Sequence, residues 1–242
     1  MKLGWKRRLL SWVYPERCAC CGEVIEAGTD LCARCREELP HQPLPLCRYC
    51  GSAKENCRCG KRRRPTDGVV SPFTYDGPAR RAVQRLKKGV SPLETDTLAA
   101  FLVKTVRREY ADVQFDAVTC VPKPNRELRK SDENASATLA QAVARQLGLP
   151  FEPLLDKVRE TRPQKELSAL ERSGNLRGAL DLRRDAAVTD RTLLLVDDVR
   201  TTGATLHECA LILKIYGAKE VYAVTLTASG KEDPDGRHQN GN

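Results

Sequence analysis

The chain has 242 residues, 40% hydrophobic, 30% charged and 5% aromatic, with a formal net charge of +9. That length supports one large or two modest domains and excludes a small stapled scaffold. No apolar run approaches the ~20 residues that cross a bilayer, which excludes a transmembrane helix, and so few aromatics argue against an extended base-stacking surface.

The opening MKLGWKRRLLSWVYPERC places basic residues before an apolar patch too short for a secretory signal, with no small-residue cleavage site after it. It is expected to form a leading amphipathic helix ended by Pro15, in a chain that stays in the reducing cytoplasm. Of eleven cysteines, nine fall at or before Cys59, and only Cys120 and Cys209 lie beyond. Four pairs stand out: Cys18 and Cys21, Cys32 and Cys35, Cys47 and Cys50, then Cys57 and Cys59. Zn²⁺ takes four thiolates at about 2.3 Å, and one tight turn with two cysteines supplies half a site. Gly22 and Gly51 follow the second cysteine of two pairs, where positive φ lets the turn fold back. Two structural zinc sites are expected, because four protein ligands leave no position for a catalytic water. Sequential pairing gives Cys18, Cys21, Cys32 and Cys35, then Cys47, Cys50, Cys57 and Cys59; interleaved pairing is the alternative, and Cys20 competes for a place in the first turn.

Residues 1–64 carry 14 Lys and Arg against 7 Asp and Glu, an excess of +7. A four-thiolate zinc site carries a net −2, so two of them cut that excess to +3 and weaken the electrostatic case for nucleic acid. Lys61, Arg62, Arg63 and Arg64 before Pro65 read as a solvated linker.

From about residue 67 the texture changes. Residues 69–75 read as a strand, and Pro78 opens a helix with Arg80, Arg81, Arg85, Lys87 and Lys88 before Gly89 stops it. A second helix is expected over 95–110, a strand over 115–121, and a helix over 134–147 closed by Gly148. The apolar run 193–196 reads as a strand buried on both faces, followed by a helix over 205–216 and a strand over 221–226. Such alternation predicts an α/β fold, a mostly parallel sheet with helices on both faces. The division expected is 1–64 cysteine-rich, 65–228 α/β, and 229–242 a disordered tail.

In open α/β sheets, ligands sit at the carboxyl ends of strands. There LLLVDDVRTTGATL runs from the buried strand through Asp197 and Asp198 into Thr201, Thr202, Gly203, Ala204 and Thr205, then into a helix. Loop N–H groups, threonine hydroxyls and the helix N-terminus make a phosphate cradle. Paired aspartates repel phosphate but suit a ribose diol or Mg²⁺, so carboxylate pair plus cradle points to a phosphorylated sugar. His207, in the following helix, reads as a surface residue.

The segment Asp197 to Thr205 resembles the phosphoribosyl pyrophosphate (PRPP) loop of type I phosphoribosyltransferases. With the zinc ribbons in front, residues 10–228 resemble the ComF family, whose ComFC members are linked to competence and DNA uptake. The stretch 73–88 is similar to that family's Y-x-G-P entry into a basic helix, and Val121, Pro122, Lys123 and Pro124 sit where its pyrophosphate loop follows a strand. Thr161, Gln164, Leu167, Arg172, Asn175 and Gly178 match its central pattern.

The resemblance implies a type I phosphoribosyltransferase fold behind a double zinc ribbon. It implies Asp197 and Asp198 on the ribose hydroxyls and Thr201, Thr202, Gly203, Ala204 and Thr205 on the 5′-phosphate. Lys123 and the backbone of Val121 and Pro122 would meet pyrophosphate, with Mg²⁺ bridging to the sugar. Asp197, Asp198 and Lys123 are then the candidate catalytic residues, in a transfer of phosphoribose to a nitrogen acceptor. Where the family has R-G-aromatic-N-Q, this chain has Arg129, Lys130, Ser131, Asp132, Glu133 and Asn134; two carboxylates there oppose polyanion binding unless they bind metal or turn outward. The rival reading is a non-catalytic PRPP- or nucleotide-binding module that assists single-stranded DNA handling, with competence helicase-type proteins as partners.

Overall fold

The computed structural model describes residues 15–57, 64–123, 134–157 and 180–229. The expected leading helix, Cys59, Lys61 to Arg63, the segment 129–133, the central-pattern residues between 161 and 178, and the tail from 230 lie outside the described residues.

The cysteine-rich part holds two copies of one turn. Cys18 O accepts from Gly22 N at 2.8 Å and Cys47 O from Gly51 N at 2.7 Å, while antiparallel bridges Arg17–Val24 and Leu46–Ala53 close each copy. Both glycines have the positive φ expected, +82° and +68°. A short helix α1 (Ala33–Glu37) follows the first copy, and a 3-10 turn (Lys54–Asn56) the second.

The remainder is α/β. Strands β1 (Gly68–Val70) and β2 (Phe73–Thr74) replace the single strand expected over 69–75. Pro72 has no N–H for a ladder, yet Val70 pairs Val224 and Phe73 pairs Thr227, so the register runs through the break. Helix α2 (Gly77–Leu86) is N-capped by Asp76. Helix α3 (Pro92–Glu109) starts three residues before its expected position, because Ser91 and Glu94 form a capping box and Pro92 fits the first turn. Strand β3 (Ala117–Cys120) and helix α4 (Ala135–Leu147), closed by left-handed Gly148, follow. Strands β4 (Leu155–Lys157) and β5 (Leu180–Leu182) form an antiparallel pair with no counterpart in the expected elements. Strand β6 (Thr192–Arg200), helix α5 (Ala204–Ile215) and strand β7 (Glu220–Ala228) complete the described chain.

The main sheet is parallel, in the order β1-β7-β6-β3 with β2 also on β7. Alternation along β6 sorts the core: Leu194 and Val196 pack with α2, α3 and α4, while Leu193 and Leu195 pack with α5 and the β4–β5 pair. Both faces of the strand are therefore buried, as a parallel sheet between helices requires.

The cysteine-rich part covers the β1–β2 edge. Val69 N donates to Arg48 O at 3.1 Å, Gln42 N to Pro72 O at 2.9 Å and Thr74 N to Pro40 O at 2.9 Å. A Cβ on Gly51 would lie 2.5 Å from Val69 O, so glycine alone permits this approach. Arg48 stands over the rings of Tyr110 and Tyr222 at 5.8 and 5.7 Å and pairs with Asp112 at 3.0 Å.

Candidate functional site

Because β3 and β6 are neighbouring parallel strands, the residues after each meet at one sheet edge. Val121 N donates to Val196 O at 3.1 Å, which sets Val121, Pro122 and Lys123 beside Asp197. Asn134, the N-cap of α4, donates from Nδ2 to Val121 O at 3.5 Å.

The strand expected over 193–196 proves longer: β6 runs on through both aspartates to Arg200, with Asp197 opposite Thr225 and Arg200 opposite Ala228, because the ladder with β7 continues. Asp197 Oδ1 accepts from Ser136 Oγ at 2.6 Å and from Asp198 N at 2.9 Å. Burial, then the charge of Asp198, pushes its carboxyl up to about 7 against the opposing pull of those donors and Lys87. Asp198 is buried, and its Oδ2 lies 2.9 Å from Lys87 Nζ. Ser136 and Lys87 thus position the pair. Lys87 counted in the sequence only as one of five basic residues on a helix, and Ser136 carried no signal beyond its place in the first turn of α4.

Past Arg200 the chain turns through Thr201 and Thr202 to Gly203, the N-cap of α5 at φ +77°. Ala204 N is held by Thr202 Oγ1 at 3.3 Å, and Thr205 begins the helix beside it. This strand, turn and helix N-terminus have the form of an anion cradle. His207 is not a surface residue as expected: it is half-buried, with Nδ1 3.1 Å from Thr66 Oγ1. Burial, then the charges of Arg64 and Arg200, lower it to about 4, so it is neutral at pH 7 and stands where cationic charge converges on the turn.

At the other site, the Sγ atoms of Cys18, Cys21, Cys32 and Cys35 all lie within 4.8 Å of one another, as do those of Cys47, Cys50 and Cys57. The sequential grouping is the one the fold brings together. Sγ separations of 3.7 Å for Cys21–Cys32 and 3.6 Å for Cys50–Cys57 are near the ~3.8 Å edge of a tetrahedron with 2.3 Å metal–sulfur bonds, so the donor set fits Zn²⁺. Cys35 N donates to Cys32 Sγ at 3.5 Å and Arg81 Nη2 to Cys35 Sγ at 3.6 Å, both suited to thiolate charge. Burial pushes Cys18 up, but backbone N–H groups of Cys21, Cys32 and Cys20 outweigh it and bring the thiol to about 7. Cys20 stands apart from the cluster: it is buried in the core, and burial pushes its thiol up to about 12.

Residues 9–65 match the double zinc ribbon domain and residues 133–239 the phosphoribosyl transferase domain. The chain is 30% identical over 220 residues to Competence protein F of Haemophilus influenzae, spanning 85% of this chain and 93% of that one. The chain belongs to the ComF family. This ComF protein is also 31% identical over 208 residues to DNA utilization protein YhgH of Salmonella typhimurium, spanning 84% of this chain and 86% of the relative. With Competence protein ComFC of Streptococcus pneumoniae it shares 27% identity over 231 residues, 87% and 99% of the two chains. Among solved structures, it is similar to the glutamine PRPP amidotransferase of B. subtilis (24% identity, TM-score 0.37, 55% of this chain and 26% of that one). It is likewise similar to the adenine phosphoribosyltransferase of Thermoanaerobacter pseudethanolicus (20% identity, TM-score 0.39, 59% and 75%). The fold, a type I phosphoribosyltransferase sheet behind a double zinc ribbon, rests on the sheet topology and the family matches. Among the described residues no helix is long and apolar enough to cross a membrane.

Proposed function

We propose that this ComF protein binds Mg²⁺–PRPP at the carboxyl ends of β3 and β6 and transfers its phosphoribosyl group to a nitrogen acceptor. The observation that carries the reading is one sheet edge where a carboxylate pair, Asp198 buried and Asp197 half-buried, is held by Ser136 and Lys87 and adjoins both the turn into α5 and the residues after β3. Asp197 and Asp198 accept from the ribose 2′- and 3′-hydroxyls. Thr201, Thr202, Gly203, Ala204 and Thr205 hold the 5′-phosphate through hydroxyls and N–H groups at the helix N-terminus. Lys123, with the backbone of Val121 and Pro122, meets pyrophosphate. The oxygen donors at this edge suit Mg²⁺, which when bound neutralises the pyrophosphate as it leaves.

In the transfer, the C1–O bond breaks and pyrophosphate departs with the electron pair. The acceptor nitrogen forms the C1–N bond and gives up its proton to the departing pyrophosphate or to water. The chain's contribution is charge neutralisation and positioning, so no histidine or cysteine catalyst is needed. The zinc sites are fold-forming, and their reduced thiols fit the cytoplasm. The names of the relatives, Competence protein F and DNA utilization protein, support a role in DNA handling; single-stranded DNA and helicase-type proteins as its partners rest on the family resemblance alone.

Calorimetric titration of Mg²⁺–PRPP into the zinc-loaded protein, beside an Asp197→Ala/Asp198→Ala variant, tests the reading. Binding is expected for the wild type and lost in the variant. A folded wild type that does not bind PRPP overturns it and leaves the site to a non-catalytic role in DNA handling.

A further inference from the structure

Helix α2 ends at the carboxylate pair. Lys87 is its C-cap residue, and its Nζ lies 2.9 Å from Asp198 Oδ2. The lysine side chain is 53% exposed and the aspartate's 10%, so the ammonium closes the pair from the solvent side. Burial works against charge on Lys87, but Asp198, then Asp197 and Tyr75, hold it above the ordinary lysine range. The helix that carries it is anchored at three points. Asp76 Oδ1 accepts from Gly77 N at 2.7 Å, Arg81 reaches Cys35 Sγ at 3.6 Å, and Arg85 pairs with the buried Glu94. Arg85 also fills the space a Cβ on Gly22 would take, 2.1 Å from its Nη1.

An ammonium and a sugar hydroxyl are both donors, and they compete for the same carboxylate oxygens. We propose, resting on the sugar-phosphate reading above, that Lys87 is a displaceable counter-ion: a ligand's hydroxyls replace it on Asp198 while its ammonium passes to an anionic group of the same ligand. The exchange selects a class of ligand. A neutral diol must displace the lysine and gives it no new partner. An anion without hydroxyls leaves Lys87 where it is. A sugar with a pyrophosphate on the carbon next to its diol satisfies both exchanged groups, and ribose 5-phosphate lacks that pyrophosphate. Lys87 thereby discriminates between the two sugar phosphates.

The test is calorimetric titration of PRPP and of ribose 5-phosphate, each with Mg²⁺, into the zinc-loaded full chain as wild type, Lys87→Met and Lys87→Arg. Loss of a charge-assisted contact corresponds to about a tenfold weakening. Lys87→Met should weaken PRPP by that factor while ribose 5-phosphate binds as tightly as before or more tightly. Lys87→Arg should recover most of the PRPP affinity. The pH profile of PRPP binding to Lys87→Met should also move to higher pH, because Asp197 has lost a neighbouring cation. Unchanged PRPP binding, or an equal loss for both ligands, overturns the counter-ion proposal alone. Absence of PRPP binding by the wild type overturns the sugar-phosphate reading and this proposal with it.

Discussion

Asp197 and His207 depart from their ordinary ionisation in opposite senses, and both do so through burial first. Asp197, raised to about 7, binds its proton more tightly folded than unfolded, so its contribution is present below about pH 4 and lost as pH rises to about 7. His207, lowered to about 4, contributes above its ordinary 6.5 and loses that contribution as pH falls to about 4. Between pH 4 and 6.5 the two slopes oppose each other. Asp197→Asn should therefore tilt stability upward with pH and stabilise the fold at pH 8 by on the order of 1–3 kcal/mol. His207→Asn should tilt it the other way. Denaturant unfolding at several pH values reads both, and parallel curves for the two variants would contradict the assignment. Neither shift is legible in the sequence, since burial, the leading cause of both, is set by packing between segments far apart in the chain.

Among the elements, α2 and α3 illustrate what local signals decide. The start of α3 was written locally in Ser91, Pro92 and Glu94. The second use of Glu94 was not: its carboxylate caps Ser91 N at 3.0 Å and pairs with Arg85 of α2. Glu94→Ala should cost about 2–4 kcal/mol, because it removes a cap and leaves Arg85 without its buried partner. A loss under about 0.5 kcal/mol in thermal unfolding would show that the pair is not coupled to the helix. The antiparallel β4–β5 pair escaped the sequence reading because three-residue strands carry too little periodicity to register.

Across the whole molecule, the zinc ribbon serves as the cover of a sheet edge. A bare parallel edge of β1 and β2 would offer unpaired backbone groups to other chains. The contacts from residues 40–48 supply partners instead, and they depend on two cysteine-built turns. Metal removal by a chelator should lower the melting temperature and bring on aggregation detectable by light scattering. Gly51→Ala, which drives a Cβ into Val69 O, should mimic it with zinc still bound to the first site. A chelated protein that stays monodisperse would show that the edge is covered without the metal.

The sequence by itself determined what is contiguous. The strand, acidic pair, turn and helix of residues 193–216 are neighbours in the chain, so their order alone put a turn and a helix N-terminus at a strand end. Cysteine spacing likewise announced metal sites, because each pair is a single turn. Tertiary structure decided the rest: which pairs share a site, that Cys20 belongs to the core, and that β6 continues past Val196 through the aspartates to Arg200. It also brought Lys87 and Ser136 to the carboxylates. Those outcomes depend on packing between segments far apart in sequence, where no local periodicity or spacing carries a signal.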